Sequence, residues 1–490
     1  MTESTKIDSG APTAKNLNWN AIDWHLVKAQ VRRLQMRIAK ATKEKKYGKV
    51  KALQWLLTHS LNAKLLAVKR VTSNKGAKTP GIDQIIWNTP LQKLRGAMSL
   101  KRHGYKTQPL KRIYIPKKQK GTFRPLSIPV MHCRAQQALY LLALEPVSEM
   151  LADKNSYGFR PRRSAADAIS QCYLLLAKRG SAQHVLEADI KSCFDKISHP
   201  WLIENIAMDK SMLKQWLKAG YIDEGKQYDT NEGTPQGGII SATLLVLTLS
   251  GLEQAIKAVT HKRKDKINIC VYADDFIISS ASKEVLTEKI MPTVSDFLAI
   301  RGLSLSKEKT KITYIEDGFD FLSVNIRKYD GKYLPKPSKE GVQRFLNDIR
   351  DTIKANPTAK TENLIRLLNP KLRGWTNYHR HNCAKKTFNY ISYHLFQAIW
   401  QWAKRRHPKK GLRWIKRKYF RTSDSQNWIF STTYTDQYGV KNQIVLYEPA
   451  KVPIIRHVKI RADANPYKPE YQEYFRARRM KRLQLKSRTL

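Results

Sequence analysis

Apolar residues at Val27, Val31, Leu34, Ile38 and Ala41 fall at alternating spacings of four and three, with Lys28, Arg32, Arg33, Arg37 and Lys40 on the remaining faces. This pattern predicts an amphipathic helix within Trp19–Lys46, then helices over Val50–His59 and Asn62–Val71. A Gly/Pro loop, Asn74–Asp83, closes the stretch. From Tyr105 the rhythm changes: Lys111–Pro116 and Phe123–Pro129 read as β arms joined by a basic turn around Lys117–Gly121. Helix returns over Ala135–Leu151, and Ser164 is placed to N-cap another. In Val185–Ser198, apolar Val185, Leu186 and Ile190 surround Asp189. Gly233–Glu253 opens with a Gly-rich turn and continues as an apolar helix. Ile267–Ser279 reads as strand, tight turn, strand, with Asp274 and Asp275 between the two apolar arms. An amphipathic helix over Lys283–Ile300 and two short strands follow. From Gly341 the chain is helical and basic up to Phe420, β-rich over 421–449, and a basic arm or helix from Lys451. There is no internal repeat.

Composition narrows the partner. Lys and Arg number 90 against 40 acidic residues, a formal net charge of +50 spread from Lys28 to Arg488. A compact chain so charged repels itself unless a polyanion neutralises it. The 22 tyrosines and 11 tryptophans interleaved with the basic residues favour nucleic acid over membrane. Five scattered cysteines without a CxxC pair imply reduced thiols in a cytoplasmic protein, with neither zinc site nor disulfide framework. No apolar run approaches the roughly 18 residues of a membrane span, and the polar start, MTESTKIDSGAPTAKN, reads as a disordered leader.

The carboxylates point to chemistry. Adjacent Asp274 and Asp275 at the tip of an apolar hairpin repel each other unless a cation neutralises them, and a pair of Mg²⁺ ions is the usual answer. A solvated polar turn is the plain alternative. Asp189, in a strand that predicts burial, likewise needs a partner or a metal. Two carboxylate strands with a Gly-rich turn between them suit two-metal nucleotidyl transfer, with Asp189 and Asp274 bridging the metals and no covalent nucleophile. The basic hairpin, with Lys111, Arg112, Lys117, Lys118 and Arg124, suits a triphosphate, although a charged surface hairpin would look the same.

At this point the chain resembles the group II intron-encoded reverse transcriptase/maturases, from about Trp19 onward. VLEADIKSCFD is similar to that family's first catalytic strand and YADD to its catalytic hairpin, which makes Asp189, Asp274 and Asp275 the implied catalytic and metal-binding residues. Phe194 would lie beneath the sugar and reject ribonucleotides. GTPQGGIIS implies that Gln236 and Gly237 lie near the incoming nucleotide and template, and GLSLSKEKT offers Lys309 as a proton donor to pyrophosphate. IPKKQKGTFRPLSIP resembles the fingers, with Lys117 and Arg124 on the triphosphate, and GFDFLSVNI the primer grip. YGFRPRRS, with Arg160, Arg162 and Arg163, is a further signature. RGWTNYHRH and WQWAKRRHPKKGLRWIKRKYF resemble the maturase thumb, domain X, with Arg373, Lys404, Arg405, Arg406, Arg413, Lys416 and Arg417 facing nucleic acid.

Three features depart from the family. Ser241-Ala242 stands where it reads Ser-Pro, Ser323 where it reads Gly, and the chain stops at Leu490 without the Cys pairs and His of an HNH nuclease. The last implies no second-strand cleavage by this chain.

The resemblance implies an α/β (α+β) multidomain right-hand polymerase: leader 1–18, helical extension 19–72, fingers 73–184, palm 185–337, helical thumb or domain X 338–420, and a basic DNA-binding region 421–490. It implies an RNA-directed DNA polymerase that binds its group II intron RNA, assists splicing, and copies the RNA by target-primed reverse transcription during retrohoming. Two Mg²⁺ ions, dNTPs, target DNA and a DNA primer go with it, and no membrane. The rivals are a host-adopted enzyme of the same lineage in DNA repair or spacer acquisition, a catalytically silent RNA chaperone or splicing factor, and template-dependent RNA synthesis, which Phe194 opposes.

Overall fold

The computed structural model describes residues 18–116, 121–261, 263–423 and 426–487. The leader up to residue 17 and most of the basic turn after Pro116, Lys117 and Lys118 included, lie outside the described residues. The chain opens with α1 (Trp24–Lys43), whose N-cap Asp23 accepts from the amides of His25 and Leu26, then α2 (Tyr47–His59), α3 (Leu61–Thr72) and α4 (Pro90–Ser99). These pack on α5 (Met131–Leu151), which is apolar on nearly every face because helices surround it. Between α4 and α5 run β1 (Leu110–Pro116) and β2 (Phe123–Ile128), an antiparallel pair. After α6 (Ala165–Leu176) comes β3 (His184–Asp189), then α7 (Cys193–Lys196), α8 (His199–Asn205) and α9 (Lys210–Leu217). Strands β4 (Tyr221–Asp223) and β5 (Lys226–Tyr228) join the first pair in a sheet of order β2-β1-β4-β5.

The central sheet has the order β6-β7-β3-β8, built from β6 (Asn268–Tyr272), β7 (Asp275–Ser280), β3 and β8 (Lys311–Tyr314), and every neighbouring pair is antiparallel. Its strands are apolar on both faces. Leu186, Ala188, Phe276 and Ile278 face the core shared with α10 (Ser241–Leu249), α11 (Leu252–Ala258) and α12 (Met291–Ala299). Val185, Cys270 and Ile277 face α6 and the small sheet of β9 (Phe319–Phe321), β10 (Val324–Tyr329) and β11 (Lys332–Pro337). The helix expected over Lys283–Ile300 begins instead as a π-helical turn, Val285–Ile290, just ahead of Pro292. A proline ring clashes with the carbonyl four residues back, and widening the turn relieves it.

Beyond β11, α13 (Lys339–Lys354), α14 (Thr361–His379), α15 (Lys385–Arg406) and α16 (Leu412–Tyr419) form a second core with β12 (Phe420–Ser423), β13 (Gln426–Thr435) and β14 (Lys441–Val445). Phe396, Ile399 and Trp400, placed on one face by their spacing, are part of it.

The last segment does not extend outward as an arm. Ile460 and Ala464 enter the core behind the central sheet, and Asn465 donates to the Glu149 carbonyl at 3.0 Å. Asp167, fully buried on α6, meets His457 Nε2 at 2.9 Å and accepts from Arg478 Nη2 at 2.6 Å, and α17 (Gln472–Ser487) follows the same path. Residues 452–487 therefore strap back across α5 and α6, while 421–445 belong with the helical core. Ser164 holds the N-cap position of α6, but its hydroxyl donates to Asp167 and caps no amide.

Candidate active site

Asp189 ends β3 directly opposite Asp275 on β7, and Tyr272 on β6 pairs with Asp275 from the other side. Ala273 and Asp274 form the two-residue turn between β6 and β7, with Ala273 at φ +60°. All three carboxylates thus reach one end of the central sheet. From behind, Tyr157 N donates to the Val271 carbonyl at 2.9 Å, and Gly158 presses so close that a Cβ there would sit 2.2 Å from Ala273 N. The YGFRP segment is the back wall of the hairpin.

Burial, and then repulsion from Asp189 and Asp274, pushes the Asp275 carboxyl up to about 7. Burial raises Asp274 too, with Asp189 adding to it and the charges of Lys309 and Arg124 opposing. Lys309 Nζ donates to Asp189 Oδ2 at 2.9 Å, and that hydrogen bond raises the lysine's own pKa. The loop carrying Lys309 is fixed by Ser306 N, which donates to the Asp189 carbonyl at 2.8 Å.

Three hard oxygen donors whose charges repel fit a divalent cation, and an ammonium already lies against one of them. As the side chains stand, no group of three or more His, Cys, Asp or Glu among the described residues is placed to hold a metal ion.

The Gly-rich turn is clasped to α7. Gly233 N donates to the Ile197 carbonyl and Thr234 N to the Phe194 carbonyl. Gly233, at φ +81°, leaves no room for a Cβ against Asp195. Gln236 donates from its side-chain amide to both Asp195 oxygens at 3.2 Å, and its backbone carbonyl accepts from Ser127 N on β2 at 2.7 Å. Gly237 has φ +115° and meets the Ser127 carbonyl where a Cβ would go. Phe194 packs edge-on against Phe159 at 6.1 Å. Asp195 was missed from the sequence; its only signal was a second acid on the strand-to-helix turn that holds Phe194.

The arginines of YGFRPRRS do not act together. Arg160 is buried and spent internally: it forms a two-pronged pair with Glu149, at 2.7 and 3.0 Å, and also donates to the carbonyls of Asp153 and Ser156. Arg163 brackets the carbonyls of Lys154 and Ala462, and burial lowers it to about 10. The expectation that Arg160 grips nucleic acid is corrected here, since a guanidinium beside a buried carboxylate satisfies the fold first, and Arg163 is engaged by two backbone carbonyls instead. Arg162 is exposed. On the helical domain, Arg373, Arg405, Arg413 and Arg417 are exposed, and Lys404, Arg406 and Lys416 are half-buried, with Arg406 over Trp402 and Lys416 over Trp428.

Residues 115–326 match the reverse transcriptase (RNA-dependent DNA polymerase) family, 19–100 the N-terminal domain of reverse transcriptase, and 342–420 the group II intron maturase-specific domain. The chain is 27% identical over 423 residues to the group II intron-encoded protein LtrA of Lactococcus lactis subsp. cremoris, covering 67% of this chain and 70% of LtrA. The chain belongs to the group II intron-encoded reverse transcriptase/maturases. This reverse transcriptase/maturase is also 32% identical over 316 residues to protein YkfC of Escherichia coli K12, covering 55% of this chain and 81% of YkfC. Among solved structures, a telomerase of Candida albicans aligns over 64% of each chain with a TM-score of 0.37 and 13% identity, too distant to add to the assignment. The maturase is an RNA-directed DNA polymerase with a right-hand fold. Its polymerase domain implies divalent-metal use and its maturase domain implies intron RNA binding. Among the described residues no helix is long and apolar enough to cross a membrane.

Proposed function

We propose that this chain binds its own intron RNA, assists its splicing, and copies it into DNA from a primer at the target site during retrohoming. Asp189, Asp274 and Asp275 hold two Mg²⁺ ions. The observation that carries this is the register of β3 on β7, which sets Asp189 opposite Asp275 beside the Asp274 turn, with a lysine as counter-charge. When bound, the metals supply charge stabilisation at the reacting phosphate. The protein's own groups position the substrates. Arg124 and Lys117 bind the triphosphate, Gln236 and Gly237 line the nucleotide and template, and Phe194 shuts out a 2′-hydroxyl. Lys309 keeps its proton on Nζ next to Asp189, where it can be passed to the leaving pyrophosphate.

Splicing draws on binding energy. Cations on the thumb and fingers neutralise RNA phosphates and favour the folded intron over its alternatives. Asp274→Ala is therefore expected to abolish primer extension on an RNA template while retaining splicing of a precursor RNA. Loss of both in a folded variant would refute the division.

A further inference from the structure

The C-terminal end of α13, the turn after it and the outer half of α15 enclose a cavity of about 850 Å³. Its apolar lining is Ile353, Ala398 and Trp402, with the planar Arg406 guanidinium lying over the Trp402 ring at 4.7 Å. Trp402 is held in place by its indole N–H, which donates to the Asn356 carbonyl at 2.9 Å. Arg350, Lys354, Arg405 and Arg406 supply positive charge around the opening, and among the described residues no Asp or Glu lines it. Two amides, Gln397 and Gln401, stand on successive turns of α15 along one side.

A surface that only tracks the phosphates of a duplex needs a shallow basic face. This cavity offers three things together: an apolar floor with a guanidinium over its aromatic ring, hydrogen-bonding edges, and cations at the mouth. Their complement is an object with a flat ring, polar ring edges and a phosphate beside it. The volume lies within the range of roughly 300–1,000 Å³ typical of sites for one small organic group. Proteins that read RNA by sequence take bases that have left the helix, stacking them on aromatic side chains or arginine guanidinium planes and bonding their edges. The cavity also adjoins the exposed cations at the end of α15 that are read above as RNA-facing.

We propose that this cavity receives one unpaired nucleotide extruded from the intron RNA, its base over Ala398 and the Arg406 guanidinium that covers Trp402, its edge on Gln397 and Gln401, and its phosphate between Lys354 and Arg405. The inference rests on reading the thumb as an RNA-binding face.

The test uses the full chain and three RNA hairpins, identical except for one position: a bulged adenosine, an abasic bulge of the same backbone, or no bulge. Binding is followed by fluorescence anisotropy at fixed salt. The bulged adenosine is expected to bind about tenfold tighter than the abasic bulge, the scale of one stacked base. Gln401→Trp at the exposed rim, or Ala398→Trp on the floor, should fill the cavity and bring that ratio near one, with thermal melting to confirm folding. Equal affinity for bulged and abasic hairpins in the wild type, or a ratio that survives both substitutions, overturns the proposal. So does free adenosine monophosphate binding more tightly than the bulged hairpin, which would make this a small-molecule site. Arg413→Gln with Arg417→Gln, both exposed and outside the cavity, separates the two readings. Weaker binding of all three hairpins with a wild-type ratio of one sinks the cavity alone, whereas no effect on any hairpin sinks the RNA-facing thumb as well.

Discussion

Asp275 concentrates the electrostatic strain of the active site, because burial and two neighbouring carboxylates lift its pKa to about 7. Its folded pKa stands above its unfolded one, so the folded state holds the extra proton. The stability this contributes is present at low pH and is lost as pH rises from about 4 towards 7. A divalent cation replaces that proton. Mg²⁺ should therefore raise the melting temperature more at pH 8 than at pH 6, and Asp275→Asn should flatten the difference; a shift independent of pH in the wild type would contradict it. Phe194 makes a steric prediction. Its ring is braced edge-on by Phe159, so Phe194→Ala opens space instead of letting a neighbour collapse into it. Misincorporation of ribonucleotides, read as the ratio of kcat/KM values, should rise by about tenfold or more, the scale of removing a steric barrier in a pocket. The three acids stood out in the sequence because acids among apolar strand residues have few structural explanations, whereas the role of Phe194 is implied by the family resemblance alone. Arg160 was not legible. An arginine in a Gly/Pro loop looks the same whether its partner is a phosphate or Glu149, and the carboxylate that decides it lies on another element, α5.

The catalytic hairpin depends on an element that contributes no reacting group. Gly158 sits against the Ala273 amide, where any Cβ would overlap backbone and not a movable side chain. Gly158→Ala must push the Ala273–Asp274 turn forward. It should cost about 1–3 kcal/mol of stability, the usual scale of overpacking, and depress primer extension far more than RNA binding. Equal loss of both would mean that the wall supports the fold generally and not the hairpin. Short apolar runs bounded by polar turns made β3, β6 and β7 readable, as strands buried on both faces require. The small sheet was read only in part: two short strands were expected where β8 to β10 run and none at β11, and Ser323, where the family has Gly, adopts φ +61° in the turn between β9 and β10. The return of residues 452–487 was hidden. Its contacts are distant in sequence, apolar at Ile460 and Ala464 and polar where His457, Ile460 N and Arg478 all meet Asp167. Burial raises the Asp167 carboxyl, but the His457 hydrogen bond and the Arg478 charge outweigh it and hold it at about 2. A repeat period cannot announce such a joint.

The path of the chain makes the helical domain an insertion held at both ends. It leaves the small sheet at β11 and is pinned back to it where Cys383 N donates to the Pro335 carbonyl and Tyr378 Oη to the Leu322 carbonyl. It then returns through Ile455 N, on the Arg380 carbonyl, to the strap behind the central sheet. Polymerase and thumb are therefore coupled, and the chain's formal charge of +50 bears on both. That charge acts on stability and on binding with opposite signs. In the RNA-free protein, like charges repel within the fold, so screening by salt should raise the melting temperature. In the complex, each phosphate neutralised by Lys or Arg releases counterions, so salt should weaken binding. For about six to ten such contacts the affinity falls by about 10³–10⁵ between about 50 and 200 mM salt. Titrating salt over that range, melting the free protein and measuring intron RNA affinity in parallel, should give one rising and one falling curve. Arg405→Gln with Arg413→Gln should make the affinity curve shallower by about one to two contacts while leaving the sign of the melting curve unchanged. If melting temperature and affinity fell together, the positive charge would be holding the fold through internal ion pairs. The pairs formed by Arg160 and Arg478, and not an awaited polyanion, would then be the main use to which this chain puts its cations.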